Sequence, residues 1–203
     1  EANSPNVDTT DWVPGSVGKG ESVFSGAGVM LNSSKTFRRT DAFNNVNDNV
    51  FKSGLKANDN PNNWGWGAQK ASGSDDINNA LLHISTDKSE NLWVVLGVDR
   101  LGTDADSYLD FEFLQNTLTV NSNGGFTSGG QNGGRTVGDL LLTLKLAANG
   151  GKTELFVQRW QSDGAGGFTW NDVPLTSTSD LVFVATNNGS TPAPFTAFGE
   201  IGR

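Results

Sequence analysis

Cysteine is absent from the 203 residues, and methionine, histidine and tyrosine occur once each. Without cysteine there is no disulfide framework and no thiolate metal site, although the lack does not specify a compartment. The single histidine, His83, has no second histidine to share a zinc ion, and no serine sits in a nucleophile-elbow motif. His83 reads instead as a strand residue on the face opposite Leu82 and Ile84. Charged residues make up only 18% and sum to a net charge of −8. That balance argues against nucleic acid and anionic membranes as partners. No apolar run is long enough to cross a bilayer, so membrane insertion is not expected. No basic-then-apolar leader follows Glu1, so secretion would imply a leader removed or lying outside this sequence. The glycine-rich stretch 124–134 lacks the Gly-Lys-Ser/Thr ending and the following helix pattern of a phosphate loop.

What the chain does have is 26 glycines, with asparagine, aspartate, serine and threonine between short apolar runs. This pattern predicts an all-β fold, since those residues make turns and the runs suit strands. The central stretch is Asp99 to Gln115. Within it Leu109, Phe111 and Phe113 alternate with Tyr108, Asp110 and Glu112, the mark of a strand with one apolar and one acidic face. Leu140, Leu142, Leu144 and Leu146 share a face in the same way. Leu109, Phe111, Phe113, Leu140, Leu142 and Leu144 form the predicted buried core. Other strands are predicted at Val23–Leu31, Lys35–Arg39, Val50–Lys56, Ala80–Ser85, Leu92–Val98, Thr153–Trp160, Phe168–Trp170 and Leu181–Ala185. Asn149-Gly150-Gly151 and Asp163–Gly167 supply hairpin turns. Roughly ten to twelve strands with such spacing suit a jelly-roll or lectin-like β-sandwich. No repeat and no linker divides the chain, so residues 1–203 read as a single domain. Phe198-Gly199-Glu200 reads as the start of a strand that continues beyond Arg203.

Asp75-Asp76-Ile77, Asp110-Phe111-Glu112-Phe113, Arg135-Thr136-Val137-Gly138-Asp139-Leu140, Arg159-Trp160 and Phe198-Gly199-Glu200 follow one another in this order. Over residues 41–200 the chain resembles modules of large bacterial secreted or cell-surface proteins, adhesin-like and repeat-containing. The resemblance implies an extracellular or cell-surface location, with neighbouring domains or subunits as partners. It implies no particular chemistry.

Three groups of residues are candidates for a site. Trp64 and Trp66 lie in an asparagine-rich loop with Asn58, Asn60 and Asn63. Indole faces stack on sugar rings while amides satisfy hydroxyls, so this loop is the expected glycan-binding surface; packing is the competing role. Trp93, Trp160 and Trp170 lie in strands and suit a core, with Tyr108 as a further aromatic. Asp104, Asp106 and Asp110 cluster around a glycine-containing turn and are the expected Ca²⁺ ligands, because hard cations collect oxygen donors. Asp110 and Glu112, about 6.6 Å apart along a strand, match the spacing of glycosidase carboxyl pairs. The alternative is a structural pair bridged by Arg100, Arg135 or Arg159. The expectation is an extracellular bacterial module for recognition or scaffolding, with polysaccharide or cell-surface glycan as ligand. A glycan-cleaving enzyme using Asp110 and Glu112, or a purely structural filament or adhesin unit, are the alternatives.

Overall fold

The computed structural model describes residues 23–25, 29–41, 48–52, 57–86, 89–100, 102–174, 182 and 184. The fold is all-β: among the described residues there are short 3₁₀ turns but no α-helix. Eleven strands follow in order. They are β1 (Thr36–Thr40), β2 (Asn49–Phe51), β3 (Trp66–Ala68), β4 (Ile77–Thr86), β5 (Leu92–Arg100), β6 (Ser107–Phe113), β7 (Leu118–Val120), β8 (Phe126–Ser128), β9 (Leu140–Leu146), β10 (Glu154–Ser162) and β11 (Phe168–Asp172). All pairings are antiparallel. The expected strand at Leu181–Ala185 and the Phe198-Gly199-Glu200 motif lie outside the described residues, apart from Val182 and Val184.

The chain divides into two compact units, each assembled from separate segments. The first contains a three-stranded sheet ordered β1-β4-β5. Its register aligns Phe37, Leu82 and Leu96 on one face, and Thr36, His83 and Val95 on the other. Thr36 is buried with its hydroxyl 2.9 Å from His83 Nδ1. Burial, with Lys35 adding to it, lowers the His83 pKa and keeps the ring neutral. The β4–β5 ladder shifts register between Ile77 and Ala80. There the Asp99 carboxylate accepts the Asn78 and Asn79 backbone N–H groups at 3.1 and 2.8 Å, bridging the interruption in the ladder.

The second unit holds a four-stranded sheet, β11-β10-β9-β6, and the hairpins β2-β3 and β7-β8. In the large sheet Leu109 lies opposite Leu144, Phe111 opposite Leu142 and Phe113 opposite Leu140. The two apolar rows therefore lie side by side, and the predicted alternation is present. The predicted full burial is not: these six side chains are half-buried. Leu141, on the other face opposite Glu112 and Gln158, is the residue at 1% exposure. Segments 57–64 and 130–139 cover that end of the acidic face, as described below. At the β9–β10 connection Asn149 takes a left-handed backbone (φ 54°), which asparagine tolerates better than most residues. Its N–H donates to the Thr103 carbonyl at 2.6 Å.

Candidate functional site

One face of the large sheet carries, row by row, Tyr108–Lys145–Glu154, then Asp110–Thr143–Phe156, then Glu112–Leu141–Gln158–Asp172. Trp160 and Trp170 pair in the next row outward on β10 and β11. At this lower end the face is closed by Arg135, whose side chain is 0% exposed. Arg135 Nε donates to Glu112 Oε2 at 3.1 Å and Nη2 to Oε1 at 3.0 Å, a fork-on-carboxylate pair. Nη1 donates to the Asp59 carbonyl at 2.9 Å. The guanidinium carbon lies 4.9, 5.0 and 5.6 Å from the ring centroids of Trp160, Trp170 and Trp64. The cation is thus satisfied by ring faces where water is excluded.

Local sequence explains how Arg135 reaches this position. Gly134 has φ +79°, and a Cβ there would stand 2.1 Å from Asn60 Oδ1, so only glycine lets the two loops close together. Just beyond, Thr136–Asp139 forms a turn closed by Asp139 N–H on the Thr136 carbonyl at 2.9 Å. The buried Asp139 carboxylate accepts from Thr136 N–H (2.8 Å), Gln115 N–H (2.9 Å) and Gln115 Nε2 (3.1 Å). The Arg-Thr-Val-Gly-Asp motif is therefore a clip that holds Arg135 against the end of β6. Trp160 Nε1 donates to the Asn132 carbonyl at 2.8 Å, and Trp170 Nε1 donates to the Ala57 carbonyl.

The sequence candidates fall differently from their expected roles. Trp64 is 6% exposed: its ring contacts Arg135 and meets Phe51 and Phe126 edge-on at 5.5 and 5.7 Å. Trp66 lies on β3, half-buried and edge-on to Phe51 at 5.1 Å. The loop expected to display two indoles packs one of them inside. Asn60 caps the 3₁₀ turn Pro61–Asn63 by accepting Asn62 N–H at 2.9 Å, while Asn58 and Asn63 are exposed. Asp106 accepts Ala148 N–H at 2.7 Å and so anchors the β9–β10 connection. Asp110 accepts the Thr143 hydroxyl at 2.5 Å. Asp104 is exposed. Among the described residues no three His, Cys, Asp or Glu side chains form a group that could hold a metal ion, and the expected Ca²⁺ ligands Asp104, Asp106 and Asp110 take the separate places just given. Of the three arginines named for Glu112, Arg135 is the one paired with it. Burial raises the Glu112 pKa above the ordinary glutamate range, and the Arg135 hydrogen bond and charge offset only part of that.

Comparison with protein families, curated proteins and solved structures finds no match.

The upper half of the same face is open. Tyr108 is 63% exposed and Phe156 43% exposed, the aromatic pair that the covering loops leave in water. Between them stand Asp110 with Thr143, and Lys145, which donates to Glu154 at 3.2 Å. That hydrogen bond and ion pair raise the Lys145 pKa, with Tyr108 and Asp106 adding to it, so the ammonium stays charged. Two strand spacings and two residues of offset separate Tyr108 from Phe156, about 12 Å between backbones. Phe156 is the residue that sequence reasoning missed. It sits in Leu155-Phe156-Val157, where three apolar residues in a row blur the period-two signal.

Proposed function

We propose that this all-β chain is an extracellular recognition module of the jelly-roll or lectin-like kind, from a bacterial surface protein, and that it binds glycan on the open half of the β6–β9–β10 face. The observation that carries the reading is the exposure of Tyr108 and Phe156 together on one strand-built surface. Each apolar ring face matches the C–H face of a pyranose, and the Thr143 hydroxyl, Asp110 and Lys145 between them pair with sugar hydroxyls. A surface held by strand pairing needs little ordering on binding, which favours a weak but selective contact. The affinity expected of such a shallow site is about micromolar or weaker, near −8 kcal/mol at its strongest.

Glu112 speaks against the hydrolytic alternative as the first choice. Both of its oxygens accept from Arg135, and a catalytic acid must instead face the glycosidic oxygen. A glycan array followed by affinity electrophoresis tests the binding reading. Tyr108→Ala and Phe156→Ala should each weaken retention by tenfold or more while melting as the parent does. Retention unchanged in both variants would move the site elsewhere. A folded parent that no glycan retards would leave the scaffolding role in its place.

A further inference from the structure

The charges around the two exposed rings narrow the class of glycan. At the described positions of this face four carboxylates occur, those of Asp110, Glu112, Glu154 and Asp172. Against them stand Lys145, already bonded to Glu154, and Arg135, buried and bonded to Glu112. Asp110 and Asp172 are exposed, and the side chains that donate to them, Thr143 and Gln158, are uncharged. Among the described residues the strip between Tyr108 and Phe156 therefore offers carboxylate oxygens that accept hydroxyl protons, and its one cation, Lys145, is matched by Glu154. A polysaccharide bearing carboxylates or phosphates would meet like charge at contact distance, on a chain that carries −8 overall.

We infer that the Tyr108–Phe156 face takes uncharged glycan chains and rejects anionic ones. This inference rests on the glycan reading above. The chain lies diagonally across β6, β9 and β10, with one sugar on each ring. Acceptors on the protein then meet donors on the sugar, and no charge need be desolvated without a partner.

The test uses soluble glucan, xylan, mannan and galactan, each in hydroxyethylated and carboxymethylated form, so that bulk is matched and only charge differs. The expected result is retention by at least one hydroxyethyl backbone and at least tenfold weaker retention by its carboxymethyl counterpart at low salt. The gap should shrink in 0.5 M salt, since screening removes repulsion between exposed charges. It should also shrink in the triple variant Asp110→Asn, Glu154→Gln, Asp172→Asn. Equal or tighter retention by a carboxymethyl form overturns the inference and leaves glycan binding standing. A gap that persists in the triple variant places the selectivity outside this face and also overturns it. If the folded parent is retarded by none of the eight polymers and by nothing on the glycan array, it is the binding reading itself that fails.

Discussion

Arg135 shows how much one side chain can be asked to hold. Its guanidinium joins β6 through Glu112, the 57–64 segment through Asp59 and Trp64, and β10–β11 through Trp160 and Trp170. Truncation would strand a buried carboxylate, so Arg135→Ala should cost about 3–5 kcal/mol, read as a lower urea midpoint at unchanged slope. Glu112 gives this region a pH dependence of unusual sign. Its folded pKa is raised, so the native state binds the proton more tightly than the unfolded chain. Its contribution is therefore most favourable in acid and is lost as pH rises from about 4.3, the ordinary glutamate value, through the raised one. Most paired carboxylates act in the opposite direction, so the measurement is a difference. The stability of the parent relative to Glu112→Gln should fall between pH 4 and pH 7. A flat or rising difference would mean that Arg135 outweighs burial. In the sequence Arg135 was one of three arginines within reach of Glu112. The choice among them depends on the Gly134 backbone and the Asp139 clip, neither of which leaves a periodic trace.

At the scale of the strand, alternation was legible and depth was not. Leu-x-Phe-x-Phe in β6 and Leu-x-Leu-x-Leu in β9 identified their partners and shared face, because period two is a property of the extended backbone itself. Which face is buried more deeply depends on what covers it: residues 57–64, far from β9 in sequence, and residues 130–139, which lead into β9 but fold back over its far end. Leu141, which alternates with the predicted apolar row, ends beneath them at 1% exposure. Leu141→Ala should then cost about 2–5 kcal/mol, a fully buried site's penalty. Tyr108→Ala, one strand away on the same face, should stay within about 0.5 kcal/mol. Chemical denaturation of the two variants side by side checks both, and a Tyr108 cost matching that of Leu141 would show that the upper face is not open. The burial of Trp64 beside the asparagine-rich loop was not legible for a related reason. Asn60 and Asn62 serve turn and strand backbone, at 2.9 Å to Asn62 N–H and to Ser128 N–H, so these two amides tie the loop to its neighbours.

At the scale of the molecule, no stretch of sequence corresponds to a unit. The chain passes between the two units after residues 43, 75, 101 and 180. Composition could announce all-β structure but not this division, since glycine and asparagine are spread through both units. A fragment of residues 102–174 would hold the whole large sheet yet lack Asp59, Trp64 and the Ala57 carbonyl. It should show no cooperative melt by circular dichroism, and fusing residues 44–75 to it should restore one. A sharp transition in the shorter fragment would mean that the Arg135 cage is dispensable. The Trp170–Ala57 hydrogen bond spans 113 residues. At ribosomal rates of about 5–20 residues per second, Ala57 leaves the exit tunnel roughly 6–23 s before Trp170 does. Until Arg135 emerges, 71 residues after Trp64 (135 − 64), the indole lacks its cation, and the nascent chain shows chaperones and proteases a tryptophan that the finished protein buries.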